Sequence, residues 1–175
     1  ALGFRGLNLT VPHKVAAVPL LSGLSREARL LGAVNTVVFR SGRLFGENTD
    51  GRGFVRALAE GGIRLAGKTV FLAGAGGAGR AVAMMAALEG ASAIAIADPV
   101  ASRAAALAAR LNRTVRGLAR AVAVGAVAWG EALASADLAV NASPLGLKGS
   151  DPLPCPPARL PRASAVFDLV YNPPQ

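Results

Sequence analysis

Val70-Phe71-Leu72-Ala73-Gly74-Ala75-Gly76-Gly77-Ala78-Gly79 is the stretch on which the fold turns. An apolar run of strand length enters a turn of the form G-x-G-x-x-G, and an alanine-rich segment of helical length, Ala78 to Leu88, leaves it. A strand, a glycine turn and a helix in that order make the opening unit of a dinucleotide-binding sheet. Gly74 would allow the tight turn, Gly76 would let backbone approach a pyrophosphate, and Gly79 would let helix and strand pack closely. The anion would sit at the helix start, where free N–H groups and the positive end of the dipole favour it. Gly74, Ala75, Gly76, Gly77, Ala78 and Gly79 are therefore the expected cofactor cradle. The competing reading is a glycine-rich connector that binds nothing. Asp98, about 20 residues further on, stands where a carboxylate accepts the adenosine ribose hydroxyls and repels a 2′-phosphate, which favours NAD over NADP. It could instead cap the helix that begins near Ala101. Arg80 and Arg103 are near enough in sequence to touch phosphate or ribose, or are solvated helix residues.

Outward from the turn the pattern alternates. Thr69 to Ala73 reads as strand, Ala78 to Leu88 as helix, Ala93 to Ala97 as strand and Ala101 to Leu111 as helix, which predicts βαβ units on a doubly wound parallel sheet. A weaker strand follows at Ala121 to Ala126, then a short helix at Glu131 to Ala134 and strands at Leu138 to Asn141 and Ala165 to Val170. Pro152, Pro154, Pro156, Pro157 and Pro161 predict an ordered loop between the last two. Before the turn the texture differs. Ser25 to Leu31 reads as a short helix; Ala33 to Phe39 and Arg43 to Gly46 read as strands joined at Ser41-Gly42, a hairpin on a larger sheet. Gly53 to Ala59 reads as helix, stopped at Gly61-Gly62. The expected boundary lies near Asp50: residues 1–50 as the end of a smaller α/β substrate domain, 51–175 as a Rossmann-type dinucleotide-binding domain.

Composition narrows the function classes. With 53% hydrophobic and 17% charged residues the chain is expected to be compact rather than disordered. No apolar run approaches the roughly 20 residues of a membrane span. The start, Ala1-Leu2-Gly3-Phe4-Arg5, lacks an initiator Met and the layout of a signal peptide, so the chain is expected to begin mid-protein. Its single cysteine, Cys155, has no partner for a disulfide or a metal cluster, which fits a reducing, cytoplasmic setting and predicts no metal. A net charge of +9 raises the question of nucleic acid. The densest basic stretch, Arg110, Arg113, Arg116 and Arg120, carries no interleaved aromatics on which bases could stack, and a solvated face is expected instead.

Chemistry is expected from polar clusters elsewhere: Asn8-Leu9-Thr10-Val11-Pro12-His13-Lys14, Gly32-Ala33-Val34-Asn35-Thr36 and Glu47-Asn48-Thr49-Asp50-Gly51. Lysine is a plausible proton carrier because its amine titrates when desolvated, and arginine cannot replace it. Taken alone, Lys14 could be a solvated lysine and Asp50 the N-cap of the next helix. Asn35 interrupts an apolar strand, and a buried amide without partners costs on the order of 1–3 kcal/mol, so it needs either a ligand or a neighbouring loop. His13, after a proline, reads as packing.

With Gly74 to Gly79, Asn141-Ala142-Ser143-Pro144-Leu145-Gly146 and Asp168-Leu169-Val170-Tyr171-Asn172-Pro173, these clusters resemble the shikimate dehydrogenase family, quinate/shikimate members included. The resemblance spans essentially the whole chain. It implies an oxidoreductase that moves a hydride between NAD(P) and the 3-hydroxyl of shikimate, giving 3-dehydroshikimate, with quinate as a second candidate substrate. Lys14 and Asp50 would face each other beside the reacting hydroxyl, and Asn8, Thr10, Asn35 and Asp50 would bind ring hydroxyls. Tyr171 is a further substrate candidate; Asn141, Ser143 and Val170 join Asp98 and Arg103 as cofactor candidates. A homodimer is compatible, and neither nucleic acid nor membrane is expected as a partner. Two features depart from the family pattern. Asp98-Pro99-Val100 stands where NADP-using members carry Asn-Arg-Thr, which favours NAD and the quinate/shikimate subgroup. The family's N-terminal serine pair, its C-terminal glutamine and its nicotinamide-contacting segment are not in this chain. The rival readings are a non-catalytic dinucleotide-sensing module and a basic nucleic-acid-binding domain.

Overall fold

The computed structural model describes residues 3–10, 12–162 and 164–170. Two sheets organise them. The first contains β1 (Gly6–Asn8), β2 (Gly23–Leu24), β3 (Thr36–Arg40) and β4 (Arg43–Glu47) in the order β1-β3-β4-β2. The second contains β5 (Thr69–Ala73), β6 (Ala93–Ala97), β7 (Ala119–Val122), β8 (Leu138–Asn141) and β9 (Ala165–Asp168) in the order β7-β6-β5-β8-β9, parallel throughout. Six helices accompany them among the described residues: α1 (His13–Ala16), α2 (Arg26–Leu31), α3 (Asp50–Glu60), α4 (Gly77–Leu88), α5 (Ala101–Thr114) and α6 (Val127–Ala134).

In the second sheet, alternate residues of a strand face opposite layers. Val70, Leu72, Ile94 and Ile96 pack with Val82, Leu107 and Leu111 of α4 and α5, while Phe71, Ala73, Ala95 and Ala97 pack with Trp129 and Leu133 of α6. Both faces are covered, so the sheet is doubly wound and of the Rossmann type. Phe71 meets Trp129 edge-on, with ring centroids 6.2 Å apart. On the α4–α5 side branched strand residues meet helices that are themselves rich in alanine, and on the α6 side strand alanines are closed over by the Phe71–Trp129 pair. Strand order reverses between β5 and β8, and the glycine turn leaves β5 at that switch point, the usual place for a ligand in such sheets.

The first sheet follows from local signals. Ser25 caps α2 by accepting from Ala28 N at 3.1 Å, and Gly32 ends it at φ 61°. Ser41 and Gly42, at φ 48° and 71°, form the mirror-image turn that suits the twist of the β3–β4 hairpin.

Several elements differ from their sequence expectation. The strand expected at Ala121 to Ala126 is β7, because Gly125 turns at φ 79° and Ala126 already leads into α6. That helix begins at Val127, four residues early, to bury Trp129. β3 starts at Thr36, not Ala33, since Asn35 marks a bend there while its backbone still bonds to Leu9 and Glu47. α3 begins at Asp50, ahead of the expected Gly53, because Gly51 can sit against Met85 of α4, where a Cβ would lie 2.6 Å from Met85 Cγ. β1, α1 and β2 are too short to show periodicity.

At the far end of the second sheet Asp137 joins β8 to β5. Its Oδ2 accepts from the backbone N and the hydroxyl of Thr69, at 2.8 and 2.9 Å, and Lys68 Nζ lies 3.5 Å from Oδ1. The Thr69 backbone bond first, then its hydroxyl and Lys68, hold this carboxyl below its usual range despite an opposing contribution from burial. A depressed carboxyl stabilises the fold above its unfolded pKa, and that stabilisation is lost as pH falls through the folded value. Asp137→Asn should therefore lower the urea midpoint at neutral pH and flatten its fall below about pH 4. Parallel acid limbs for variant and wild type, followed by urea titration at stepped pH, would refute that linkage.

Candidate functional site

The loop from Leu9 to Lys14 crosses the end of β3, fixed by Leu9 N donating to Asn35 O and by Val34 N donating to Lys14 O, each at 2.7 Å. It delivers Lys14 on the single turn α1. Lys14 Nζ donates to Asp50 Oδ2 at 2.7 Å, with the two side chains 14% and 21% exposed. Asp50 is the first residue of α3, after Thr49 at the N-cap position. Its other oxygen, Oδ1, accepts from Asn35 Nδ2 at 2.7 Å. The carboxylate thus belongs to one helix and is held by two segments of the first sheet.

Asn35 is the hub. It is buried, and its amide also donates to Thr49 Oγ1 at 2.9 Å while its carbonyl oxygen accepts from Thr36 Oγ1 and from Thr49 N. Every polar atom of the side chain is used, which is how the amide offsets its desolvation. Asn48, almost wholly buried, donates to Ala33 O and accepts from Asp50 N, fixing the start of α3. Residue type and pattern alone assign no role to Asn48 or Thr49. The signal was an Asn-Thr-Asp run ahead of a helix, in which short polar side chains bond backbone groups nearby. Asn8 and Thr10 are exposed beside this network, and Asn8 Nδ2 lies 3.3 Å from Thr36 Oγ1. His13 is exposed at the start of α1, not packed as expected. Tyr171 lies outside the described residues.

The glycine turn stands against this site. Gly74 is at φ 102°, and a Cβ there would lie 2.7 Å from Ala142 O; at Gly79 a Cβ would run into the carbonyl oxygen of Gly74. Gly76 is exposed with open space where a Cβ would be, and no side chain among the described residues caps α4. A free helix start beside backbone with nothing above it fits a pyrophosphate. Ala75 is buried and Ala78 half-buried behind the turn. Asn141 closes the neighbouring strand end: its amide donates to Leu145 O and to Asp168 Oδ1, both at 2.9 Å, and its oxygen accepts from Ser143 N and Oγ. Val170 N donates to Asp168 Oδ1, so Asn141, Ser143 and Val170 share one network beside the turn.

Asp98 is buried at the end of β6. Its Oδ2 accepts from Ala75 N at 2.9 Å and its Oδ1 from Val100 N at 2.8 Å. Val100, not Asp98, occupies the N-cap position of α5. The carboxylate is thus a strut between the glycine turn and the β6–α5 turn. Arg103 is exposed one turn into α5. Arg80 is half-buried, 3.5 Å from Gly32 O; burial first, then the charges of Arg110 and Arg103, push its guanidinium below the usual arginine range. Arg110, expected to be merely solvated, donates to the carbonyl oxygens of Arg29 and Leu30 at the end of α2 and so clamps the first sheet's helix to α5.

A Rossmann-type sheet with its glycine turn at the switch point, and a part-buried Lys–Asp pair beside that turn, make the chain a two-sheet α/β protein with one site where the sheets meet. Residues 1–37 match the model of the shikimate dehydrogenase substrate binding domain, and a shikimate dehydrogenase (NADP(+)) from Rubrobacter xylanophilus is 45% identical over 175 residues, 99% of this chain and 60% of the relative. Over nearly its whole length the chain is similar to members of the shikimate dehydrogenase family. Among solved structures it is similar to a shikimate 5-dehydrogenase from Thermus thermophilus in complex with NADP(H) and shikimate, at 42% identity and TM-score 0.83 over 98% of this chain and 60% of that one. It is also similar to a quinate dehydrogenase from Corynebacterium glutamicum in complex with NAD, at 40% identity and TM-score 0.85 over 98% and 61%. The chain spans about 60% of the length of the curated relatives it matches.

The space at Gly79 has a direct consequence. Gly79→Val should press helix and strand apart, weakening dinucleotide binding and lowering the melting temperature together. Unchanged fluorescence titration with NADH and an unchanged melt would show the close approach to be dispensable.

Proposed function

We propose that the protein transfers a hydride between NAD(P) and the 3-hydroxyl of shikimate, interconverting shikimate and 3-dehydroshikimate. The observation that carries this reading is the 2.7 Å Lys14–Asp50 pair set beside the glycine turn. A module that only senses a dinucleotide needs the turn and has no use for the pair. Residues 1–50 would form the end of the substrate-binding domain and residues 51–175 the dinucleotide-binding domain. The match of residues 1–37 to a substrate-binding domain model and the packing of α3 on the second sheet support that division. A cytoplasmic location is proposed with it.

The chemistry follows from what each group can do. Bound nicotinamide supplies the hydride acceptor or donor. The carbinol becomes a ketone only if its hydroxyl proton also leaves, and the Lys14–Asp50 pair stands to take that proton while the C–H electrons depart as hydride. Asn35, by holding Asp50 Oδ1, keeps the carboxylate turned toward Lys14. Asn8 and Thr10, exposed on the adjoining loop, would bind ring hydroxyls, with Tyr171 as a further candidate. Quinate is a second candidate substrate, supported by the likeness to the quinate dehydrogenase of Corynebacterium glutamicum.

For the cofactor we propose that Gly74 to Gly79 hold the pyrophosphate, with Asn141, Ser143 and Val170 near the nicotinamide end and Asp98 and Arg103 at the adenosine end. Asp98 favours NAD: a 2′-phosphate near it would set two anions within a few ångströms, a repulsion of roughly 4 kcal/mol at an effective dielectric near 20 before screening. Against this, the curated relatives are named for NADP(+), and Arg103 and Arg80 could offset part of the repulsion. The balance is a preference, not an exclusion.

Lys14→Ala should lower turnover by roughly 10²–10⁴ with little change in dinucleotide affinity, the range for losing a general acid–base, and Lys14→Arg should not restore it. Shikimate oxidation within about threefold of wild type, under 1 kcal/mol of barrier, would remove Lys14 from the reaction. Asp98→Asn should shift the NADP-to-NAD ratio of kcat/KM toward NADP by at least about tenfold, or 1.4 kcal/mol. Because both cofactors share the pyrophosphate, the ratio cancels any damage to the Ala75 strut. A wild-type preference for NADP would overturn the role given to Asp98.

A further inference from the structure

The glycine turn contains one glycine more than its turn geometry explains. Gly74 needs its positive φ, Gly79 must pass a carbonyl oxygen, and Gly76 faces open space where a pyrophosphate can approach. Gly77 meets none of these needs. Its backbone is the first residue of α4, outside the left-handed region, so an L-residue could adopt it without strain. Alanine would be the better helix former by about 0.5–1 kcal/mol in a helix interior.

What occupies the space is Lys14. A Cβ on Gly77 would lie 3.0 Å from Lys14 Cβ, 3.2 Å from Cδ and 3.6 Å from Cγ. The aliphatic stem of the lysine therefore lies along the bare Cα of the glycine turn, and its amine is carried onward to Asp50 Oδ2. Among the described residues, and apart from the adjoining backbone, these three stem atoms are the nearest to this position. The stem cannot retreat freely: Cβ is fixed by the backbone of α1, and that turn is tied to the first sheet by the bond from Val34 N to Lys14 O.

We infer that Gly77 is a positioning residue for Lys14, a seat whose missing side chain sets the lysine's stem and aims its amine at Asp50. The seat joins the two sheets at the site. The segment expected to hold the pyrophosphate and the residue expected to carry the proton are in van der Waals contact, so a shift of the turn displaces the amine. The catalytic consequence rests on the proposed role of Lys14 in proton transfer; the seat itself does not.

The test compares Gly77→Ala with Gly76→Ala, a substitution in the same turn whose Cβ meets open space. The first readout is independent of activity: trace acylation of lysines by acetic anhydride, read by peptide mass spectrometry. The chain's other lysines, Lys68 and Lys148, are exposed and serve as references. Gly77→Ala should raise labelling of Lys14 about tenfold relative to them, as its amine leaves the ion pair, while Gly76→Ala should leave it unchanged. The second readout is the melting temperature. Gly77→Ala should lower it in the wild-type background but not after Lys14→Gly removes the stem, a non-additivity expected of residues in direct contact. The third is kinetic: shikimate turnover falls at least about tenfold with the cofactor KM within about threefold, and the pH profile shifts. Unchanged Lys14 labelling in Gly77→Ala, or equal labelling changes in both variants, would overturn the seat. Altered labelling in a protein that does not oxidise shikimate would support the seat and sink the proposed function alone.

Discussion

A single carboxylate ties the two sheets together at the site. Asp50 begins a helix that belongs by packing to the second sheet: Gly51 sits against Met85 of α4, and Phe54 meets Phe167 of β9 edge-on with centroids 5.2 Å apart. Its two oxygens nevertheless bond to Lys14 and Asn35, both carried by the first sheet. Removing one partner of a largely buried ion pair leaves the other charge desolvated, and that penalty exceeds the net worth of the pair. Asn35 and Asn48 are committed to the same geometry, since the bonds of Asn35 to Thr49 and Asp50 and of Asn48 to Asp50 N all depend on where α3 starts.

The glycine turn works by the opposite means, through atoms it lacks. Each bare Cα has a different neighbour: a carbonyl at Gly74 and Gly79, open space at Gly76, a lysine stem at Gly77. A chain built this way is rigid without being bulky. Asp98 completes it by accepting from Ala75 N, so the anchor at the end of β6 is a side-chain carboxyl beside the expected cofactor site.

The arginines show how a net charge of +9 can be put to use within the fold. Arg110 spans from α5 to the carbonyl oxygens that end α2, and a short helix of six residues gains its C-terminal partners from another sheet's helix. The same guanidinium presses on Arg80 electrostatically. Side chains that read as a solvated run in the sequence are in part the means by which the two sheets hold each other.

The sequence by itself determined the second sheet, because apolar strands alternating with alanine-rich helices leave little choice of period, and the glycine turn marks where the first strand ends. Likeness to a family pointed to Lys14, Asn35 and Asp50 as residues that gather, whereas residue type alone left Lys14 as a solvated lysine and Asp50 as an N-cap. The sequence did not determine β1, α1 or β2, which are shorter than any period that could reveal them: β1 and β2 form on the edges that β3 and β4 offer, and α1 is tied down by the bond from Val34 N to Lys14 O. Nor could it decide what Asp98 does with its oxygens, since an acidic residue at a strand end serves equally as ligand or strut until the position of Ala75 N is known. The contact at Gly77 was likewise out of reach, because the stem that would crowd a side chain there belongs to a lysine 63 residues earlier in the chain. Local patterns fix local backbone; contacts between distant segments, decided by how two sheets meet, fix what each polar side chain is free to do.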